Sequence, residues 1–393
     1  MAERIYLDWN ATAPLREEAR VATAEALGLC GNPSSVHAEG RAARARIEAA
    51  REKVAALLGA QPRNVVFTSG GTEANATALC PSWGAGEADD SRDGLVLSAI
   101  EHPSVLAAGR FSRSLIELVP VTPDGVLDLS ALEQVLSKLA GQGRRRLMVS
   151  VMLANNETGV VQPVSKAAEL VHGRGFLLHV DAVQAAGRIP CNINELQADV
   201  LSVSGHKIGA PKGVGALVKR EEKLHLSDPL IRGGGQERGL RAGTENVAAI
   251  AGFGAAAAAA QKALAAESAR MAGLRDRLEA GLKSRMPQAV IFGAGASRLP
   301  NTTLFAVPGI RAETAVIALD LEGIAVSSGA ACSSGKVQPS HVLAAMRVEP
   351  SLAQGAIRIS LGPSTSESEV DRFLDAWIRL SNALVRETDG IAA

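Results

Sequence analysis

Apolar runs alternate with glycine-rich polar turns along the first two thirds of this chain, a pattern that predicts an α/β fold. Residues 65–67, 176–180, 200–203 and 214–218 are short apolar runs that end at polar turns, as buried strands do. Strand–turn–helix units of this kind recur between about residues 16 and 250. We therefore expect one large domain built around a mostly parallel sheet.

A long helical stretch follows the last of these units. Residues 247–285 begin with an alanine-rich segment and end before Pro287, which predicts a buried helix whose uncharged part is shorter than a membrane span. The helix is expected to lead into a smaller C-terminal α/β domain. The predicted division places residues 16–250 in the large domain, and residues 1–15 together with 251–393 in the small one.

Composition narrows the function classes. Lys plus Arg and Asp plus Glu both number 41, so the formal net charge is +0, which argues against binding nucleic acid or a membrane surface through bulk charge. The four scattered cysteines indicate no disulfide framework and have no metal-ligand spacing, so no fixed metal site is predicted. The N-terminal residues lack an apolar signal core, and we expect a cytoplasmic protein.

One lysine occupies a polar turn between two predicted strands. Lys207 lies in SGHKIGAPKGVG, beside Ser204 and His206. A desolvated amine at such a place can form a Schiff base with pyridoxal phosphate, and the neighbouring hydroxyl and imidazole can bind a phosphate. The alternative is a solvated lysine in a glycine-rich hairpin.

A carboxylate stands at the C-terminal end of another predicted strand. Asp181 follows the run 176–180, at the edge where ligands bind in open α/β sheets. It can keep a pyridine nitrogen protonated, and Gln184 can reach the phenolic oxygen of the same ring. The alternative role of Asp181 is a helix N-cap, and the two roles are compatible.

A small-residue turn precedes a predicted helix at VVFTSGGTEANATAL. The backbone N–H groups of Gly71 and Thr72, with the positive end of the helix dipole, are suited to hold a phosphate. The spacing is not that of a nucleotide P-loop. A threonine-capped helix start without a ligand is the alternative.

Together these motifs, in this order, resemble the class V aminotransferase family, and within it the cysteine desulfurases of the nitrogen-fixation and iron-sulfur cluster type. The resemblance covers nearly the whole chain. It is carried by YLDWNATAPL, GNPSSVH, SGGTEAN, EHPSV, NNETG, HVDAVQ, SGHKIGAPKGVG, RGGGQERGLRAGTEN, SSGAACSSG and AIRISLG.

The resemblance implies a pyridoxal-phosphate-dependent transferase fold of type I, similar to aspartate aminotransferase, with pyridoxal 5'-phosphate as cofactor. It makes Lys207 the Schiff-base lysine and His102 the imidazole stacked over the ring. It also implies a homodimer in which Thr244 completes the phosphate cup of the other subunit. The full set of cofactor-binding residues that it implies is Gly71, Thr72, His102, Asn156, Asp181, Gln184, Ser204, His206, Lys207 and Thr244.

A cysteine then selects the reaction. Cys332 lies in a segment of Gly, Ser, Ala and Lys with the composition of a mobile loop, from which a thiolate can reach a site and leave with sulfur. In the family this thiol takes sulfur from L-cysteine as a persulfide and alanine is released. A small buried hydrophobe is the alternative for Cys332, and it describes Cys30, Cys80 and Cys191 better.

Substrate recognition requires a cation for the α-carboxylate. Arg358 in AIRISLG lies on an alternating strand that we predict to be half-buried, and it can bind a carboxylate through two hydrogen bonds or form a structural salt bridge. By resemblance, Asn10, Asn32 and Asn156 line the substrate site. Trp9 and Pro363 depart from the commonest family pattern and bear on fine selectivity.

The predicted function is that of a cysteine desulfurase. Its expected partners are L-cysteine, a second copy of the chain, and an iron-sulfur scaffold or another sulfur acceptor, on which Cys332 can become a transient iron ligand. A selenocysteine lyase would use the same lysine and aspartate but depend less on Cys332. A non-catalytic binding protein of the same fold is the third alternative.

Overall fold

The computed structural model describes residues 4–84, 91–329 and 339–391. The strands of these residues are β1 Ile5–Tyr6, β2 Val65–Thr68, β3 Trp83–Gly84, β4 Gly94–Ser98, β5 Ile116–Val119, β6 Leu147–Met152, β7 Leu177–Asp181, β8 Val200–Ser204, β9 Gly215–Lys219, β10 His225–Leu226, β11 Val290–Ile291, β12 Thr302–Ala306, β13 Ile324–Ala325, β14 Ser327–Ser328 and β15 Ile357–Ser360. The α-helices are α1 Glu17–Leu27, α2 Ala38–Leu57, α3 Gly71–Ala78, α4 Pro103–Leu106, α5 Leu129–Gly141, α6 Val164–His172, α7 Val247–Arg285, α8 Ala312–Leu321, α9 His341–Ala345, α10 Pro350–Ala353 and α11 Glu367–Ile391.

The central sheet has seven strands in the order β2-β9-β8-β7-β6-β4-β5. Strand β9 runs antiparallel to both of its neighbours, and the other pairs are parallel. The fold class is therefore confirmed, and the four apolar runs singled out in the sequence form β2, β7, β8 and β9 within about one residue of the predicted bounds. Because β7 and β8 are parallel neighbours, Asp181 and Ser204 end at the same edge of the sheet.

Two large cores accompany this arrangement. One covers a face of the central sheet with residues from α2, α5, α6 and the start of α7. The other joins Ile5 and Leu7 to the end of α7, α8, β15 and α11. The N-terminal strand thus packs with C-terminal elements, although the division into residues 16–250 and the remainder stays a prediction.

Helix α7 has the bounds that the sequence predicts, and its N-terminal half packs on α1 and α2. A side chain at Gly254 would place its Cβ 2.5 Å from Cα of Ala50, so the two helices approach closely through small residues. By length and composition alone, α7 is long and apolar enough to span a membrane. Phe253, Ala256 and Ala257 of that half are nevertheless buried in the core, as is common for core helices of the same length and apolar composition.

The C-terminal sheet is antiparallel, in the order β11-β12-β15-β14. Strand β15 is central and all four of its residues are buried, so the expectation of a half-buried strand is wrong. Ile357 and Ile359 face the second core, whereas Arg358 and Ser360 point to the opposite side and contact the N-terminal segment at Asp8 and Asn10. The alternation is real, but both faces of the strand are covered.

Candidate active site

A cavity of about 330 Å³ opens at the carboxyl edge of the central sheet, within the usual size range of cofactor pockets, roughly 300–1,000 Å³. Most of the predicted site residues line it. Those brought together here are Asn10, Gly71, Thr72, His102, Asn156, Asp181, Gln184, Ser204, His206, Lys207 and Arg358. The sequence therefore identifies a real cluster, although the role of each residue stays a prediction.

Lys207 ends a 3₁₀ turn, Gly205–Lys207, that follows β8 directly. Its Nζ donates hydrogen bonds to the carbonyl oxygens of Asn10 and, at 2.8 Å, Ala11. Burial, together with the positive charges of Arg188 and Arg358, lowers the pKa of the Lys207 amine to about 7. A neutral amine has two hydrogens, and both are used by the two carbonyls, so its lone pair is left to react.

Asp181 is held at the end of β7 by two hydrogen bonds. Its Oδ2 accepts from Nδ2 of Asn75 at 2.7 Å, and its Oδ1 accepts from the backbone N–H of Val183 at 2.9 Å. The second contact closes a turn, so Asp181 does cap local backbone. Burial and the charge of Asp181 raise the pKa of nearby Glu101 well above its ordinary value, because two buried carboxylates cannot both ionise easily.

The turn before α3 forms a cradle. Gly70 has φ +156°, a conformation that favours glycine, and no side chain caps the helix that begins at Gly71. A Cβ on Gly71 would lie 3.0 Å from Val183 and 3.2 Å from Ser204, so only hydrogen at this position leaves the cradle open. The first backbone N–H groups of the helix border the cavity and can bind an anion.

His206 lies beside this cradle, on the turn that carries Lys207. Its Nδ1 is 3.2 Å from the hydroxyl of Thr12. Burial first, and then the charges of Lys207, Lys212 and Arg188, lower the pKa of His206 to about 4. The imidazole is therefore neutral at neutral pH and can contribute one N–H donor to an anion.

A buried arginine orients Gln184. Nη1 of Arg188 donates to the Gln184 side-chain oxygen at 2.6 Å, which fixes the amide so that its Nε2 donates, here to the Asn10 carbonyl at 3.0 Å. Arg188 also donates to the carbonyl of Lys207. Burial and the charge of Arg358 lower the pKa of Arg188 to about 10.

Arg358 forms the structural salt bridge that the sequence left open as one of its two roles. Its Nη2 forms a salt bridge with Asp8 at 2.8 Å, and its Nη1 donates to the Asn156 carbonyl at 3.0 Å. Its Nε is buried and has no hydrogen-bond partner among the described residues. Arg358 therefore belongs to a structural ion pair, and because its side chain also lines the cavity, its role as a carboxylate ligand stays a prediction.

Asn32 and Thr244 lie apart from the cavity. Both are exposed, and neither is among the residues that line it. The Asn32 side chain accepts from the backbone N–H of Ser34 and so closes a local turn. Within a single chain, neither residue contributes to the site.

Cys332 lies outside the described residues. The chain leaves the described part after Gly329, which is tied to Ala356, and α9 begins soon after it returns. Cys80 and Cys191 are buried, as predicted, whereas Cys30 is exposed. The expectation for Cys30 is wrong because α1 already ends at Leu27 and residues 28–30 are exposed.

Two polar contacts hold the start of α9 against Glu157 and Glu101, which are next to the cavity-lining residues Asn156 and His102. The Ser340 hydroxyl donates to Oε2 of Glu157 at 2.6 Å, and Nε2 of His341 lies 2.9 Å from the Glu101 carbonyl. Burial raises the pKa of Glu157 to about 7, against the lowering effects of Ser340 and Arg358. The chain therefore returns from residues 330–338 at a fixed point beside the site.

The comparison with known protein families supplies the identity of the fold. Residues 5–373 match the family described as Aminotransferase class-V. The chain belongs to this family. Among its relatives, this class V chain is 46% identical over 379 residues to a cysteine desulfurase of Cereibacter sphaeroides, with 95% of this chain and 94% of the relative covered.

Solved structures agree with the family assignment. A NifS-like protein from Rickettsia africae superimposes with a TM-score of 0.87 at 35% identity, covering 97% of this chain and all of that one. SspA in complex with cysteine superimposes with a TM-score of 0.75 at 27% identity, covering 92% of this chain and all of that one. The class V fold of this chain is thus that of the pyridoxal-phosphate enzymes of fold type I.

The cavity of this class V chain fits pyridoxal phosphate. The open cradle at Gly71 suits a phosphate, the neutral amine of Lys207 suits an aldehyde, and the Asp181 carboxylate suits a protonated ring nitrogen. These three features lie at the same cavity, which matches the three polar ends of this cofactor.

Reasoning from the sequence missed four residues of the class V site: Asn75, Glu101, Ser104 and Arg188. The spacing in the sequence could have indicated two of them. Asn75 is four residues after Gly71, and Arg188 is four residues after Gln184, and residues four apart lie on the same side of a helical turn. Ser104 is two residues after His102 and touches its ring nitrogen. No sequence pattern marks Glu101 as buried.

Proposed function

We propose that this protein is a pyridoxal-phosphate-dependent cysteine desulfurase that converts L-cysteine to L-alanine and passes the sulfur on as a persulfide of Cys332. The observation that carries the proposal is the buried Lys207 amine, whose pKa is lowered to about 7, at a cavity that Asp181 and Arg358 also line. Relatives named cysteine desulfurase, at up to 46% identity over nearly the whole chain, support the same reaction.

The cofactor, when bound, supplies an electron-withdrawing ring that stabilises negative charge on the carbon next to the substrate nitrogen. Lys207 would hold the cofactor aldehyde through its neutral amine, and its Nζ could hold or release a proton. The negative charge of Asp181 would keep a proton on the ring nitrogen of the bound cofactor. The cradle at Gly71 and Thr72, with Ser204 and His206, holds the phosphate group.

Arg358 binds the α-carboxylate of L-cysteine in this proposal. A charge-assisted hydrogen bond of this kind contributes roughly 1.5–3 kcal/mol. Asn10 and Asn156 border the same part of the cavity. The solved SspA structure was determined with cysteine, which supports this substrate for a chain of the same fold.

The cysteine of the segment 330–338 accepts the sulfur. Its thiolate attacks the substrate sulfur, the carbon–sulfur bond breaks, and the substrate Cβ gains a proton as alanine forms. Residue 329 and α9 flank this segment beside the site, which supports delivery of Cys332 to the cavity. A selenocysteine lyase and a non-catalytic protein are the alternatives, and the comparisons favour neither.

An assay of alanine and sulfide from L-cysteine tests the proposal. The Cys332→Ser protein should still bind L-cysteine, because the cavity residues are unchanged, but it should release almost no sulfide under reducing conditions. Cys30→Ser is the matched control, since Cys30 is also a free thiol and is exposed, and it should keep the full rate. Equal loss in both variants, or none in Cys332→Ser, would contradict the assignment of the sulfur carrier.

The proposed assembly is a cytoplasmic homodimer with two composite sites. Thr244 is exposed and does not line the cavity of its own chain, which supports a role at the cavity of a second copy. Mixing inactive Thr244→Ala and Lys207→Ala proteins should restore part of the activity as subunits exchange. Thr314→Ala, a change at another exposed threonine, should be fully active by itself, and a fully active monomer would contradict the composite site.

The sulfur acceptor is proposed to be an iron-sulfur scaffold or another thio-cofactor protein. Such a scaffold can also take Cys332 as a transient ligand to iron. A pull-down of radiolabelled sulfur from L-cysteine onto a purified scaffold should require Cys332. Transfer at the same rate to any free thiol, such as dithiothreitol alone, would argue against a specific acceptor.

A further inference from the structure

A continuous chain of hydrogen bonds connects Asp181 to His102. Nδ2 of Asn75 is 2.7 Å from Oδ2 of Asp181 and 3.0 Å from the hydroxyl oxygen of Ser104. The same hydroxyl is 2.7 Å from Nδ1 of His102. The backbone N–H of Ser104 also points to Nδ1, at 3.1 Å, so that His102 caps the short helix α4.

The direction of each hydrogen bond in this chain can be assigned. The Asp181 carboxylate only accepts, so the Asn75 nitrogen must face it and must also be the donor to Ser104. The Ser104 oxygen thus accepts from Asn75 and keeps its own hydrogen for Nδ1. A backbone N–H can only donate, so Nδ1 of His102 receives two donors and carries no hydrogen.

We propose that Ser104, oriented by Asn75, is a positioning residue that holds His102 as the neutral tautomer with its hydrogen on Nε2. In this form His102 presents a hydrogen-bond donor to the cavity, and proton uptake in the cavity belongs to another group, such as the neutral amine of Lys207. The consequence for the reaction rests on the proposed function, whereas the tautomer itself does not.

The surroundings of His102 agree with a neutral ring. Burial is the largest effect and lowers its pKa; the Asp181 carboxylate raises it, and any positive charge on Lys207 or His341 lowers it further. A second hydrogen on the ring would have to sit on Nδ1, directly against the N–H of Ser104. The Ser104 hydroxyl could rotate away from this second hydrogen, but the backbone N–H of Ser104 could not.

Nitrogen-15 NMR of the cofactor-free protein, labelled at its seven histidines, tests the tautomer directly. His102 is assigned from the signal that disappears in His102→Gln. Above the pKa of His102, Nδ1 should resonate as a bare imidazole nitrogen and Nε2 as a protonated one. The reverse pattern, or an equal mixture of the two tautomers, would overturn the inference.

Two substitutions test the part played by Ser104. Ser104→Ala removes one hydrogen bond to Nδ1 and should raise the pKa of His102 by about half to one pH unit, as expected for a hydrogen bond of ordinary strength. Ser104→Thr keeps the hydroxyl and should leave the pKa within about 0.2 units of the original. Because Asp181, Lys207 and His341 are the same in all three proteins, their charges cancel in the comparison.

The outcomes separate this inference from the proposed function. An unchanged pKa in Ser104→Ala, or equal shifts in the Ala and Thr variants, would remove the positioning role even if L-cysteine is still converted to alanine. Conversely, the predicted tautomer and shifts in a protein that leaves L-cysteine intact would uphold the inference and reject the desulfurase assignment. The other six histidine signals report whether each variant is folded.

Discussion

The Lys207 amine should determine the pH dependence of cofactor attachment. Its pKa of about 7, against an ordinary value of 10.5, follows from burial and from the neighbouring charges of Arg188 and Arg358. At pH 7 about one half of the Lys207 amines are then neutral, compared with about 1 in 3,000 for an ordinary lysine. Only the neutral amine attacks the aldehyde, so attachment should be about 10³-fold faster than for an exposed lysine at this pH.

The rate of attachment can be followed as visible absorbance when pyridoxal phosphate is added to cofactor-free protein. The rate should rise about tenfold per pH unit below pH 7 and then level off. N-acetyl-lysine gives the reference profile and Lys207→Ala gives the background. Asp8→Asn should move the midpoint to lower pH, because the Asp8 charge raises the pKa of Lys207. A rate that continues to climb through pH 9, as for the reference amine, would refute this account of the site.

Three further predictions concern stability. Glu157 ionises above about pH 4.5 in the unfolded chain but only above about pH 7 in the folded protein, so its burial destabilises the fold progressively as the pH rises from 4.5 to 7. In urea unfolding, the free energy of unfolding of Glu157→Gln should exceed that of the original protein by about 3 kcal/mol at pH 8 and by little at pH 4.5, and equal differences at both pH values would contradict this. Glu237→Ala should lower the free energy of unfolding by about 3–5 kcal/mol, because the buried guanidinium of Arg51, which lies 2.7 Å from Glu237, loses that partner. A change below about 1 kcal/mol would show that Glu48 alone is a sufficient partner for Arg51. Gly362→Ala should lower the melting temperature and alter tryptophan fluorescence, because the new Cβ would lie 2.0 Å from the Trp9 ring. Unchanged fluorescence would contradict this prediction and would mean that the backbone, and not the Trp9 ring, moves to accommodate the Cβ.

The elements that hold the site could be predicted from the sequence because their signals are local. The apolar run before Asp181 is a strand, the small residues before α3 form a turn, and Pro287 follows the end of α7, all as expected from patterns of a few residues. Lys207 was distinguishable from a surface lysine only through the motifs that accompany it. The joint order of those motifs therefore carries more information than any one of them.

Other parts of the site depend on contacts between distant positions and leave no local pattern. Arg188 is buried because segments around residues 9, 184 and 207 meet over it. The second cover of β15, which buries Arg358, comes from the N-terminal segment some 350 positions away. Periodicity in the sequence shows that a strand alternates, but it does not show what packs on its polar side.

Mass spectrometry after a brief pulse of L-cysteine tests the central claim most directly. The protein loaded with pyridoxal phosphate should carry one additional sulfur atom on the peptide that contains Cys332, and an equal amount of alanine should appear in the same quench. Peptides containing Cys30, Cys80 and Cys191 should remain unmodified. Alanine without added sulfur on Cys332, or added sulfur only on another cysteine, would contradict the assignment of this chain as a desulfurase that carries sulfur on that residue.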